Sequence, residues 1–418
     1  MNKKNHNKII NIAIGICFVL IAVIIFYSCE NDKVDNVNTI RFWHFWSEPT
    51  QKKAINELIA KFEKENHCKV EVTELSWNDG KTKLFAAFNS NVAPDVLELG
   101  SDWVTQFAAS GVLSAISPDS IDMNTFVESS LLPTHWHDTL FAIPWVIDTR
   151  VMYYNKKLMK AAGFDTIPPQ DYSQLINMSN VINNANKKIY GFGTNGSDPH
   201  RLYKKILPMF WTFGGDIIDS TSKPIVNSLS NINALNVYIQ LSRAGIIETQ
   251  RQLDTYFSQG KIGFIFSGAW LLKKIERENP DLDYGVSLMP RYLLNQGISF
   301  LGGEYLSINQ KSTKKELGLK LIKFLSNGQN ALNLAKRIDE AGFPADKNYI
   351  NSEELLKNPK KAVFAQQLLF AKPTPIHPKW LDIEAIIENA VSETIYGQKG
   401  EHQALNNAQV ELLKLLNE

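Results

Sequence analysis

Ile40-Arg41-Phe42-Trp43-His44-Phe45, then Ser47-Glu48-Pro49-Thr50, then Lys69-Val70-Glu71-Val72-Thr73-Glu74-Leu75 decide the fold of this chain. The first six residues are rich in aromatic and β-branched side chains, a strand composition. Ser47 to Thr50 turn the chain into a helix that carries Ile55, Leu58, Ile59 and Phe62 on one face. Val70 and Val72 then point to one side of a second strand. Strand, helix, strand in that order is the unit of a parallel α/β sheet.

The same grammar continues outward. Pro94-Asp95-Val96-Leu97-Glu98-Leu99 reads as a strand, and Ser101-Asp102-Trp103 opens a helix that stops at Ser110-Gly111, where Gly permits a left-handed cap. Leu140 to Trp145 and Val151 to Tyr154 read as strands flanking Asp148-Thr149-Arg150, as expected where a chain passes between two lobes. Further on, Asn231 to Arg243 and Leu253 to Gln259 read as helices, and Lys261 to Ser267 as a buried strand ending at Gly268-Ala269-Trp270. Tyr284 to Leu288 and Tyr305 to Ile308 read as strands around a Gly-rich connection, Gly297 to Gly303. From Lys314 the pattern is mostly helical, with a last helix from about His402 to Leu416. No solenoid-length repeat interrupts this order.

Upstream, Lys3, Lys4 and Lys8 precede an apolar run from Ile9 to Tyr27 that ends in Ser28-Cys29-Glu30. A charged start, an apolar stretch and a small residue before the break build an export signal, and Cys29 supplies the thiol of a bacterial lipoprotein anchor. The run also has the length of a hydrocarbon-spanning helix of roughly 20 residues, so an uncleaved membrane anchor fits too. Either reading puts everything after Cys29 outside the cytoplasm. The expected division is a signal peptide at 1–28, a lipid-anchored tether at 29–38, an N-terminal lobe at 39–146 and 295–330, and a C-terminal lobe at 147–294 and 331–418.

Charge is balanced, with 44 basic and 43 acidic residues, so nothing recruits nucleic acid. Cys17 lies in the apolar run and Cys29 at its end. Cys68 is therefore alone in the body, no internal disulfide can form there, and Cys68 reads as a small apolar filler. No Gly-x-Ser-x-Gly elbow, phosphate loop or His-Glu-x-x-His motif is present. His135 and His137 supply two ligands without a third, too few for a closed metal set, and no cofactor is implied.

The tryptophans are the informative residues. Trp43, Trp46, Trp103, Trp145, Trp211, Trp270 and Trp380 fall at the ends of expected strands or in the turns beyond them, where open α/β sheets bind their ligands. An indole offers a flat apolar face that suits a sugar ring, and Glu48, Asp102, Asp148, Asp216 and Glu304 can each accept from vicinal hydroxyls. Any one tryptophan is ordinarily core; seven placed alike point to a ligand.

The run from Ile40 to Leu113 resembles the amino-terminal lobe of extracellular solute-binding proteins of ABC importers, family 1, the maltose-binding-protein-like group. The shared motifs are Phe62-Glu63-Lys64-Glu65, Pro94-Asp95-Val96 and Ser110-Gly111-Val112-Leu113, followed in the family's order by Phe141-Ala142-Ile143-Pro144-Trp145, Tyr153-Tyr154-Asn155-Lys156, Gly214-Gly215-Asp216, Ser267-Gly268-Ala269-Trp270, Gly302-Gly303 and Gly342-Phe343-Pro344. The resemblance implies an α/β, two-lobed, type II-like periplasmic-binding-protein fold, each lobe a mostly parallel sheet flanked by helices, with the ligand cleft between lobes. It places ligand contacts from Trp43 to Glu48, at Asp102 and Trp103, after Pro144, at Trp270 and at Trp380, and it marks Gly303 beside Glu304. It implies a non-catalytic, monomeric lipoprotein that captures a di- or oligosaccharide and hands it to the transmembrane subunits of an ABC permease. Two alternatives stay open: a binding protein for another solute such as a polyamine or glycerol phosphate, and a secreted glycoside hydrolase using two of the same carboxylates.

Overall fold

Strand β1 (Thr39–His44) buries every second residue, Ile40, Phe42 and His44. The helix that follows, Pro49–Asn66, starts with Pro in its first turn and a reciprocal capping box between Glu48 and Gln51, and ends where His67 turns left-handed at φ 51°. Its face of Ala54, Ile55, Leu58, Ile59 and Phe62 covers the sheet, and the chain re-enters as β2 (Lys69–Glu74), parallel to β1. The computed structural model describes residues 38–77, 79–196 and 198–417. The signal and anchor expectations, including Cys29, lie outside the described residues.

After the parallel strand β3 (Val96–Gly100) comes a short hairpin, β4 (His135–Trp136) and β5 (Thr139–Leu140). Strand β6 (Ala142–Asp148) then passes through Thr149-Arg150 into β7 (Val151–Asn155), which belongs to a second sheet. That sheet adds β8 (Tyr190–Asn195), β9 (Gly245–Glu248), β10 (Ile262–Ser267) and β11 (Tyr284–Ser287) in the order β11-β7-β10-β8-β9. The chain returns through β12 (Ser299–Phe300) to β13 (Gly302–Ile308), which inserts between β3 and β6. With the edge strand β14 (Phe343–Pro344), the first sheet has the order β14-β6-β13-β3-β1-β2.

The α/β, two-lobed architecture is as the sequence implies, with two corrections. Each sheet is mixed rather than mostly parallel: β13 runs antiparallel to β3 and β6, and β7 runs antiparallel to β10 and β11. The antiparallel strands flank the points where the chain changes lobe and must reverse direction to join the sheet it enters. Second, the expected boundary at 330/331 falls too early. The helices Lys315–Ser326 and Gly328–Ala335 pack on β6 and on the first helix, and Phe343–Pro344 is hydrogen-bonded to β6, so the first lobe extends to about the end of β14.

The crossings are tied to one another. Thr149 Oγ1 donates to the Phe300 carbonyl at 2.9 Å, Ser299 Oγ donates to the Arg150 carbonyl at 2.8 Å, and β12 pairs in parallel with β15 (Ala371–Lys372) on the third crossing. The closing helices, Trp380–Ile395 and Glu401–Asn417, pack on each other and on Leu229–Arg243 of the second lobe. Cys68 is a buried free thiol in the first-lobe core, and His135 leans on Thr134 at 2.7 Å.

Candidate ligand site between the lobes

Strand β6 delivers Asp148 to the gap between the sheets, and two residues on Arg150 Nη1 donates to Asp148 Oδ2 at 2.9 Å. Gly302 on β13 makes this pairing possible, because a Cβ there would stand 2.2 Å from Asp148 Oδ1. Gly303, at φ 157°, leaves equally little room: its Cβ would meet the Val146 carbonyl at 2.5 Å. The guanidinium of Arg150 lies 5.3 Å from the Trp270 ring centre and 5.0 Å from that of Phe300, within cation–π range. Trp270 opens the helix Trp270–Glu278 and is half-buried. Its indole N–H donates to Asp254 Oδ2 at 2.8 Å, and the other oxygen of Asp254 accepts from Gln250 and Ser267. Burial pushes the Asp254 carboxyl up, and these donors hold it back.

From the first lobe, Asp102 follows β3 and accepts the hydroxyl of Tyr203, of the second lobe, at 3.1 Å. Tyr203 packs edge-on against Phe300 and Trp380, and Lys204 Nζ lies 5.3 Å from the Phe300 ring and 5.4 Å from that of Tyr203. Lys81 Nζ sits 4.9 Å over Trp103. Burial pushes its ammonium down to about 8 against the pull of Asp102 and Glu384. Glu304 is driven well above the usual carboxylate range, first by loss of water and then by Glu98 and Asp148. At the back, His200 Nδ1 hydrogen-bonds Glu384, and Glu388 accepts from the backbone N–H groups of His200 and Tyr203, each at 3.0 Å. His200 is raised by that bond, and Glu384 is raised by burial while the bond to His200 pulls it down.

Asp102, Asp148, Trp270, Gly303 and Glu304 thus come together, with Trp103 buried beneath Lys81 beside them. The other expected residues do not. Trp43 lines an open groove of about 350 Å³ on the outer side of the first lobe, with Thr73, Lys83 and Val92. Glu48 is exposed and occupied in capping its helix. Trp46 and Trp145 meet edge to face at 6.2 Å inside the core. Trp145 is 0 % exposed because it stands mid-strand rather than at a strand end. Trp211 donates to Asp216 Oδ1 at 3.1 Å, and both serve the turn after the helix Tyr203–Thr212. Trp380 is 2 % exposed, its ring enclosed by protein, so the expectation that a ligand stacks on it is corrected to a packing role. Sequence reasoning missed Lys81, Arg150, Tyr203, Lys204 and Glu384. Arg150 lay in view beside Asp148; the others are joined to the site only by the crossing of the chain. Among the described residues no three His, Cys, Asp or Glu side chains are grouped to hold a metal ion.

Two lobes joined by adjacent crossings, with aromatic, acidic and basic side chains meeting between them, define a solute-binding protein. Residues 46–331 match the model of the bacterial extracellular solute-binding protein family, and the chain belongs to that family. It is 24% identical over 378 residues to the galactooligosaccharide-binding protein of Bacillus subtilis (strain 168), covering 87% of this chain and 86% of that one. Among solved structures it is similar to an ABC transporter solute-binding protein of Thermotoga lettingae TMO bound with alpha-D-tagatose, with TM-score 0.81, 22% identity, and coverage of 91% of this chain and 100% of the other. It is likewise similar to UgpB of Mycobacterium tuberculosis in complex with glycerophosphocholine, with TM-score 0.80, 22% identity, and coverage of 91% and 98%.

Proposed function

We propose that this chain is the substrate-binding lipoprotein of an ABC importer, anchored through Cys29, and that it captures a di- or oligosaccharide between its lobes without chemically altering it. The observation that carries the reading is the meeting of Asp102 and Asp148 from one lobe with the half-buried ring of Trp270 and the hydroxyl of Tyr203 from the other. Flat rings cover the C–H faces of a sugar, the carboxylates accept its hydroxyls, and closure dries both. Relatives named for oligosaccharides support the same ligand class. Cys29→Ala should leave a precursor that takes up no labelled palmitate, whereas the native chain labels.

A second reading is a phosphate-bearing solute such as a glycerol phosphate, favoured by Lys81, Arg150 and Lys204 around the gap. A thermal-shift screen over neutral oligosaccharides and glycerol phosphates separates the two. A ligand at 100 times its Kd adds about 2.7 kcal/mol to stability. Stabilisation by sugars alone, with every sugar recovered intact, is the expected result. Stabilisation by phosphates alone overturns the sugar reading, and sugar breakdown would make the chain a glycosidase.

A further inference from the structure

Trp77 and Lys81 lie outside every expectation drawn above, and each departs from what packing alone would produce. The Trp77 ring stacks on Phe45 at 4.2 Å with the planes 24° apart, and stands 5.4 Å from Trp103. Phe45 is itself fixed from behind: a Cβ on Gly80 would come within 2.3 Å of its ring, so that position must be glycine. An indole held this firmly on one face nevertheless remains 40% exposed.

Lys81 is the second residue of the helix Gly80–Asn89, the end where the helix dipole disfavours a cation. Its Nζ is nonetheless buried, with no hydrogen-bond acceptor among the described residues. The Trp103 face beneath it supplies only part of what water would. A desolvated ammonium at the wrong end of a helix without an acceptor is a standing cost, and an oxygen brought by a ligand would relieve it. Both residues adjoin Trp103, directly after the Asp102 that meets Tyr203 across the lobes, so they flank the site already described.

We propose that Trp77 and Lys81 form an outer saccharide subsite, in which a second sugar ring lies on the open face of Trp77 and offers a hydroxyl oxygen to Lys81 Nζ. This rests on the carbohydrate reading and makes it more specific: this corner of the first lobe selects for the length of the saccharide.

Titration calorimetry with glucose, maltose and maltotriose, and with galactose, galactobiose and galactotriose, tests it on wild type, Trp77→Ala, Trp77→Phe and Lys81→Met. In whichever series binds, Trp77→Ala should weaken the trisaccharide by about 5- to 150-fold, the weight of one stacked ring, and leave the monosaccharide unchanged, and Lys81→Met should weaken the trisaccharide more than the monosaccharide. Trp77→Phe should retain most of the affinity and, by keeping a ring over Phe45, the wild-type melting midpoint, whereas Lys81→Met should melt no lower than wild type because it removes a buried, unpartnered ammonium. Equal losses on monosaccharide and trisaccharide, or no loss on the trisaccharide, would overturn the subsite while leaving sugar binding intact. So would a wild type that binds only monosaccharides. A wild type that binds no member of either series overturns the carbohydrate reading and the subsite together.

Discussion

Two buried groups on one face of the first sheet titrate in opposite senses, and each follows from where its strand puts it. Burial, with Lys52 adding to it, pushes His44 from 6.5 down to about 4. Burial pushes Glu98 from 4.5 up to about 8, partly offset by the Phe45 N–H that its Oε2 accepts at 3.0 Å. Between pH 4.5 and about 8 the folded chain keeps a proton on Glu98 that the unfolded chain has released, so this contribution to stability falls as pH rises. His44 behaves the other way: the unfolded chain takes up a proton below 6.5 and the folded chain refuses it until about 4, so stability falls as pH drops. Above pH 6.5 His44 contributes no slope, the raised Glu304 carboxyl acts with Glu98, and the buried Lys205 ammonium, pushed from 10.5 down to about 7, acts against them. In urea melts the stability of wild type relative to Glu98→Gln, which keeps the acceptor for Phe45, should therefore decline from pH 6.5 to 8 by on the order of 1 to 2 kcal/mol. An unchanged slope in the variant would mean that Glu98 is ionised in the fold. The two tryptophans that open helices separate at this scale as well. Trp380→Ala removes an enclosed ring and should cost about 3 to 5 kcal/mol of folding stability with or without ligand. Trp270→Ala should instead cost about 1 to 3 kcal/mol of sugar affinity, by analogy with other flat-ring stacking. Urea melts of the free proteins, paired with calorimetry, read both.

At the scale of elements, the helix Gln250–Ser258 acts as a mount for Trp270. Thr249 caps it by accepting from the Gln252 N–H, and Asp254, one turn in, gathers Gln250, Ser267 and the indole. Asp254→Asn keeps the size but turns one acceptor oxygen into a donor facing other donors. Ligand affinity should fall about as far as in Trp270→Ala, within the same 1 to 3 kcal/mol, and the Trp270 fluorescence should shift because its N–H loses its partner. Unchanged emission and affinity would show that the ring is held by packing alone. Elements of this kind were partly legible in the sequence. Strand β1, its helix and β2 could be read to within a residue or so because alternation and caps are local signals. The helix before β10 was placed three residues late, since its first turn is polar and its start is set by Thr249 rather than by an apolar face. The helix Gly80–Asn89 carries no such signal: it opens with Gly, a poor helix former, and with Lys, a cation at the end where the helix dipole disfavours one, and it is held by Phe45 beneath it. Tryptophan position showed that rings cluster near strand ends but not which face each takes. Trp43 lies in an outer groove, while Trp103, after β3, packs with Phe45 and Trp77 beneath Lys81.

Across the whole molecule, the order of crossings explains both what was legible and how the site works. Asp148 and Arg150 could be suspected because β6 runs directly into β7, so the first crossing is itself the floor of the site. Tyr203, Lys204 and Glu384 come from distant segments that meet Asp102 and Lys81 only when both lobes are assembled, and no local pattern encodes that meeting. The hydrogen bonds from Thr149 to Phe300 and from Ser299 to Arg150, with the β12–β15 pairing, bind the crossings into one short bundle near which the lobes can turn. Beside that bundle, the Tyr203 hydroxyl on Asp102 is a direct polar bond between the lobes. Its removal should bias the free protein toward an open form, since a hydrogen bond to a charged group contributes about 1.5 to 3 kcal/mol. Tyr203→Phe keeps the ring against Phe300 and Trp380 and deletes only the hydroxyl, so folding stability should barely change. Small-angle scattering should show an unliganded Tyr203→Phe protein larger than unliganded wild type, with both reaching the same compact dimensions at saturating sugar. The variant's sugar affinity should fall by no more than the strength of that one bond, because closure must then be driven by the ligand alone. Identical dimensions for the two free proteins would show that the Tyr203–Asp102 bond does not hold the lobes together.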